Sequence, residues 1–188
     1  MSMEPEGLAT RVGDAIKQMG SPPLDQWHPE LSGVMDMRIH RDGQWFYRNE
    51  PIKREAIVRL FSSILRREAD GEFYLVTPVE KWRIQVDDAP LLAHSLEVSG
   101  EGRSQVMTLR TNVGEVLQLG SAHPLEVGSY EGSGEPRPVV WVRHGVEARL
   151  VTAAYYELAE HVVEECYEGR SVFGVYSAGE FFAIAEGG

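Results

Sequence analysis

Residues 35–88 read MDMRIHRDGQWFYRNEPIKREAIVRLFSSILRREADGEFYLVTPVEKWRIQVDD, and this stretch decides the fold. Met35, Met37 and Ile39 alternate with Asp36, Arg38 and His40, the period-two pattern of a half-buried strand. Arg41-Asp42-Gly43-Gln44 is an Asp-Gly turn, and Trp45, Phe46 and Tyr47 return as a second strand that Pro51 ends. A helix is expected over 54–67, with Ala56, Ile57, Leu60, Phe61, Ile64 and Leu65 as its apolar stripe and Arg66 and Arg67 at its negative C-terminal end. Asp70-Gly71 turns the chain into a strand at 73–76. After Thr77-Pro78 another strand sets Trp82, Ile84 and Val86 against Lys81, Arg83 and Gln85.

Outward from this block, residues 6–19 suggest a helix with Leu8, Val12, Ile16 and Met19 on one stripe. Residues 20–33 hold Gly20, Pro22, Pro23, Pro29 and Gly33 and form an arm that Leu24, Trp27 and Leu31 would pin to the body. Strands follow at 91–98, 105–111 and 115–119 as an antiparallel meander, and 120–138 reads as a long, flexible loop. Beyond it comes a strand at 139–142, the turn Arg143-His144-Gly145 and a strand at 146–150. Thr152 would cap a helix running to Cys166, with Tyr155, Leu158, Ala159, Val162 and Cys166 as its stripe and Cys166 a core thiol. A hairpin at 172–176 and 181–185 closes the chain. Both halves thus read hairpin, helix, hairpin. The fold class is α+β with antiparallel sheets and a duplicated core. The expected division is an N-terminal helix and Pro-rich arm (1–33), an α+β domain (34–85) and a second domain (86–188).

The 188 residues carry a net charge of −11, unevenly spread. Residues 34–88 hold ten basic and ten acidic side chains, whereas 89–188 hold six and fourteen. The acidic surplus excludes wrapping of a nucleic acid polymer or attachment to anionic lipid, yet leaves room for a local basic pocket in 34–88. With one cysteine, no apolar run of about eighteen residues and no signal-peptide pattern at the N-terminus, a cytoplasmic protein is expected.

Asp36 and Arg38 on one strand and Lys81 and Arg83 on another could converge if the strands share a sheet, a cleft suited to phosphate or carboxylate. Arg66 could join them. The plain alternative is a solvated face of weak ion pairs. Asp87 and Asp88 could reach the same cluster; as a cation site they lack alternating oxygen ligands, and an Asp-capped turn competes. Trp45 or Trp82 could stack a base, or sit in the core. The six histidines form no metal-binding spacing, and no serine or glycine motif marks a nucleophile or a phosphate loop. No catalytic residue, metal or cofactor is therefore assigned.

The runs MDMRIHRDGQWFYRNEPI, LFSSILRRE and YLVTPVEKWRIQVDDAP resemble the proteobacterial domain-of-unknown-function family numbered 1285, in order and spacing, over about residues 22–184. The resemblance implies a duplicated core, a C-terminal part like a pleckstrin-homology roll, a site for a nucleotide-like molecule between the two parts, and a role in signalling. Asp36, Arg38, Asp42, Trp45, Arg66, Glu80, Lys81, Asp87 and Asp88 lie in the matching runs.

The reading at this point is a regulatory module, not an enzyme, that binds a small anionic, nucleotide-like ligand. Its contacts would be Asp36, Arg38, Trp45, Arg66, Lys81, Arg83, Asp87 and Asp88. A protein-interaction module of pleckstrin-homology-like type, with a protein partner, is the alternative. A metal-dependent phosphohydrolase using Asp36, Asp87 or Asp88 is the third.

Overall fold

A computed structural model describes residues 4–17 and 21–187. They divide into two compact units, one running to Pro90 and including Arg143–Val146, the other built from Leu91–Val142 and the residues from Glu147 onward. Helices, strands and turns together make an α+β protein dominated by strands.

The first unit opens with helix α1 (Pro5–Lys17), whose Leu8, Ala9 and Val12 are buried. The end of the helix expected at 18–19, Met19 included, and the side chain of Ile16 lie outside the described residues. Strands β1 (Gly33–Ile39), β2 (Trp45–Tyr47) and β3 (Glu50–Pro51) precede helix α2 (Glu55–Ser63). Then come β4 (Leu65–Arg67), β5 (Phe73–Val76) and β6 (Lys81–Val86). The sheet order is β3-β2-β1-β6-β5-β4. Helix α2 covers the face that carries Met35, Met37, Ile39 and Trp45, where the Trp45 and Phe61 rings lie 6.3 Å apart.

Two expectations fail here. The sheet is not purely antiparallel, because β1 and β6 run parallel, with Val34 opposite Arg83 and Arg38 opposite Gln85. Helix α2 carries the chain over the buried face to the far edge, so the returning hairpin lays β6 alongside β1 in the same direction. The helix also stops at Ser63 rather than Arg67. The hydroxyls of Ser62 and Ser63 donate to the carbonyls of Arg59 and Leu60, competing with the next helical turn. Residues 65–67 then pair with 73–75 across the Asp70-Gly71 turn, so Arg66 and Arg67 belong to a strand.

The arm is only partly as read. Leu24 and Trp27 are buried around a one-turn 3-10 helix (Leu24–Gln26), but Leu31 is exposed.

The second six-stranded sheet contains β7 (Leu91–Ser99), β8 (Val106–Thr111), β9 (Val116–Gln118), β10 (Leu125–Ser129), β11 (Pro136–Arg143) and β12 (Val146–Leu150), ordered β10-β11-β12-β7-β8-β9. Here too one pair, β7 with β12, is parallel. The expected loop at 120–138 contains strand β10 and the start of β11. Gly128, Ser129 and Pro138 hide the alternation of an edge hairpin whose turn is closed by Tyr130 and Glu135.

Helix α3 (Thr152–Ala159) leads to β13 (Val163–Tyr167), β14 (Arg170–Ser177) and β15 (Glu180–Glu186), a separate three-stranded sheet. The expected helix to 166 breaks seven residues early, since β-branched Val163 opens a strand paired with β14. The cap is Val151, not Thr152, and Ala159 is exposed. Cys166 consequently sits exposed on a strand instead of in the core. Ser177, fully buried, accepts from the Met107 N–H and donates to the Leu119 carbonyl, tying the small sheet to the large one.

The order hairpin, helix, hairpin recurs in both halves. In the first unit both hairpins lie in one sheet; after β11–β12 the second hairpin, β14–β15, lies in the small sheet.

Candidate functional site: a polar face and a cavity in the first unit

Cross-strand partners share a face, so the register places Arg66, Tyr74 and Arg83 in one row on the side of the sheet opposite α2, with Lys81 beside them. Through the parallel pairing of β1 and β6, Arg38 lies on the same side. Arg38, Lys81, Arg83 and Arg66 lie on one face of the sheet, but every one of these cations has a carboxylate partner.

Arg66 and Lys81 share Glu68. The Lys81 Nζ donates to Glu68 Oε1 at 2.7 Å, and the Arg66 Nε donates to Glu68 Oε2 at 3.1 Å. The other arm of the guanidinium reaches the carbonyls of Leu24 and Trp27, at 2.7 and 2.8 Å. The Arg66 side chain is only 13% exposed. It is a clamp holding the Pro-rich arm to the sheet. Burial works against ionisation of Glu68, but the hydrogen bonds from Lys81 and then Arg66 outweigh it and hold its carboxyl below the usual range. The ammonium of Lys81 also stands 4.9 Å from the centre of the Tyr74 ring. Tyr74 donates its hydroxyl to Asp70, and that bond, aided by desolvation, pushes the phenol up to about 12.

The remaining candidates are spread along the face. Arg38 pairs with Asp87 at 2.6 Å, and Arg83 with Glu72 at 3.0 Å. Asp36 is exposed on β1, where its backbone carbonyl accepts from the Arg48 N–H, and Asp88 is half-buried after β6. Trp45 is 1% exposed and cannot contact a ligand; it belongs to the core under α2. Trp82 is half-buried with its ring against Gly33. Among the described residues no three His, Cys, Asp or Glu side chains cluster as a metal site.

Two cavities are built from residues of the first unit alone. One, of about 490 Å³, is lined by Asp25, His28, Arg66, Arg67, Glu68, Ala69 and His144. The other, of about 540 Å³, is more apolar and lies between α1 and the β5–β6 turn, lined by Arg11, Val12, Trp27, Thr77, Pro78, Val79 and Glu80. Its mouth is bridged by Arg11 and Glu80 at 3.3 Å.

The polar cavity is organised around β4. The Arg67 N–H donates to the His144 carbonyl at 3.0 Å, which seats the Arg143–Gly145 turn beside the strand. His144 and Gly145 take left-handed conformations there, with φ of 48° and 73°. A Cβ on Gly145 would meet the Cβ of Arg67 at 3.0 Å, so the close approach and the backbone both call for glycine. Burial, then the Arg143 charge, pushes the His144 imidazole below its ordinary range. The Arg67 guanidinium lies over the Phe73 ring at 5.4 Å and has no carboxylate partner among the described residues.

Of this lining only Arg66 stood among the sequence candidates. Asp25, His28 and His144 come from the arm and a distant turn, and no local spacing links them to β4. Arg67 was visible as a basic residue but was read as a helix end.

A family model described as the N-terminal domain of DUF1285, a domain of unknown function, matches residues 22–89, and one described as the C-terminal domain of DUF1285 matches residues 90–184. A crystal structure of a DUF1285 family protein from Silicibacter pomeroyi DSS-3 is similar, with 44% identity and a TM-score of 0.85, covering 99% of this chain and 97% of that one. A DUF1285 family protein from Shewanella baltica OS155 is 28% identical with a TM-score of 0.53, covering 68% of this chain and 92% of that one. Among curated proteins none matches. No helix among the described residues is long and apolar enough to cross a membrane. With both family models together spanning nearly the whole sequence, the chain belongs to the DUF1285 family.

Proposed function

We propose that this protein is a non-catalytic regulatory module that binds a small, nucleotide-like anion in the polar cavity beside β4. The observation that carries this reading is Arg67, a cation in the cavity wall with no carboxylate partner, on a sheet whose other candidate cations are paired. The hollow, of about 490 Å³, is wide open to solvent, so a small ligand there would be held by charge and hydrogen bonds rather than by enclosure. Its lining also includes Asp25 and two histidines, so it offers acceptors as well as donors. A nucleotide suits that mixture: its phosphate meets Arg67, and its hydroxyl or amino groups meet Asp25. The duplicated plan and the pleckstrin-homology-like roll belong to the same reading, supported by the recurring hairpin, helix, hairpin order.

Thermal-shift and calorimetric titration with a panel of nucleoside mono- and diphosphates tests the proposal. A ligand of the native state raises Tm by linkage. The expected result is a panel member that raises Tm in the wild type and binds about tenfold more weakly to Arg67→Ala, the loss of one charge-assisted hydrogen bond. If no member shifts Tm, or if Arg67→Ala binds as well as wild type, the reading fails.

A further inference from the structure

The charge of the polar cavity depends on its imidazoles. Arg66 is neutralised by Glu68 at contact distance, which leaves Arg67 against Asp25. With His28 and His144 uncharged, the formal charges of the lining cancel, and an anion entering it meets no net attraction. Each proton taken by a histidine adds one positive charge. His28 is exposed, so its charge is screened by solvent; His144 is half-buried, so a charge there acts at closer range and lower dielectric.

His144 is also the better placed of the two. Its own carbonyl is bound by the Arg67 N–H, so its backbone is fixed to the strand that bears Arg67, whose guanidinium meets the Gly71 carbonyl and the Phe73 ring but no carboxylate among the described residues. The groups facing it come from every adjoining element: Asp25 from the 3-10 turn, His28 from the arm, Arg66, Arg67 and Glu68 from β4, and Arg143 from its own turn. In the empty cavity, desolvation and the neighbouring arginines oppose a proton on the imidazole, and only Asp25 favours one. A bound oxyanion reverses that balance.

We infer that oxyanion binding in this cavity is coupled to uptake of a proton by His144, so that the protein binds its anion together with a proton. This rests on the reading that the cavity is an anion site. By linkage, an anion that favours protonation is itself bound more tightly as pH falls. For one fully coupled proton the gain is about tenfold per pH unit, between the pKa of the empty and the occupied site.

Sulfate is the probe, because its own charge is constant across this range. Calorimetric titration of the full chain at about pH 5.5 and about pH 8, in two buffers of different ionisation enthalpy, reads both affinity and protons taken up. His144→Asn keeps a residue that tolerates the left-handed backbone of the turn and removes the titrating group. His28→Gln serves as a second variant, and the imidazole of His144 is followed by NMR with and without sulfate. The expected result is wild-type affinity at the lower pH at least about fivefold above that at the higher one, with proton uptake, and a His144 titration that moves upward with sulfate. His144→Asn should lose the proton uptake and retain only the modest general gain that comes from reduced net charge, while His28→Gln keeps most of the coupling. Sulfate binding with equal affinity at both pH values, or coupling that survives in His144→Asn, overturns the inference while leaving the anion site standing. No sulfate binding at either pH overturns both.

Discussion

Lys81 donates to Glu68 across 2.7 Å, and the same carboxylate anchors Arg66, so two basic residues that look from the sequence like ligand contacts are spent on one structural partner. The Glu68 triad sits only partly exposed, with side-chain exposures of 13, 18 and 24% for Arg66, Lys81 and Glu68. Pairs so placed are screened less than surface ones.

Removing Glu68 leaves Arg66 without its anion, and Glu68→Gln should destabilise the protein by about 2 kcal/mol. Arg66→Ala should be at least as damaging, since it also strips a donor from the carbonyls of Leu24 and Trp27. Arg38→Ala removes the pair with Asp87, where Arg38 is 52% exposed, and should change stability by less than about 1 kcal/mol. Urea unfolding midpoints check the ranking, and an Arg38→Ala effect equal to that of Arg66→Ala would contradict it.

Acid should erase part of this difference. The folded-state pKa of Glu68 is depressed, so the stability it contributes is present above the unfolded carboxylate pKa and is lost as pH falls through the folded one. The gap in unfolding free energy between wild type and Glu68→Gln should therefore narrow progressively below about pH 4. Unfolding curves collected from neutral to acid pH test this, and a gap that widens on acidification would refute the assigned charge state.

The opposite limb belongs to Tyr74. Its phenol is raised to about 12, chiefly by the bond to Asp70, so the protonated form is favoured by folding. That contribution is complete below the ordinary phenol pKa of about 10 and is lost between there and the folded value. Ultraviolet difference titration of wild type and Tyr74→Phe should assign a late-ionising phenol to Tyr74. An unchanged titration curve in the variant's late region would show that Tyr74 ionises normally.

Close packing in the second unit gives a sharper test of the fold. A Cβ on Gly174 would fall 2.2 Å from the Phe182 carbonyl oxygen, where β14 and β15 shift register. Gly174→Ala should destabilise by about 1–3 kcal/mol or more, because backbone has to move. Thermal unfolding reads it, and a neutral substitution would mean that the strands are not this close.

The exposed Cys166 thiol should react with a disulfide reagent in the native protein, without denaturant and to completion. Burial of this thiol, as the helical reading of 152–166 required, would instead make reaction wait for unfolding.

These particulars show which parts of the molecule were legible in the sequence. The strands β1 and β6 declare themselves because each buries one face, and alternation such as Met35-Asp36-Met37-Arg38 records that directly, whereas β5 shows as a short apolar run buried on both faces. Helix ends were misread for a physical reason. Ile64-Leu65 and Val162-Val163 are apolar in either state, and cross-strand pairing with 73–75 and with β14 decides between them. The polar face was legible as composition but not as chemistry. Nothing local to Lys81 says that Glu68, thirteen residues back, will meet it, or that Arg66 will bind backbone carbonyls forty residues away. The cavity was the least legible part, since its wall joins Asp25, Arg67 and His144 from separate regions of the chain.

Mapping a bound nucleotide by amide chemical shifts tests the central claim most directly. With a nucleotide identified by the thermal-shift panel, perturbations should concentrate at residues 25–28, 66–69 and 144, while Trp45 and the exposed Asp36 stay unmoved. Perturbations centred on the second unit, or along Asp36 and Arg38 with Arg67 silent, would contradict the account.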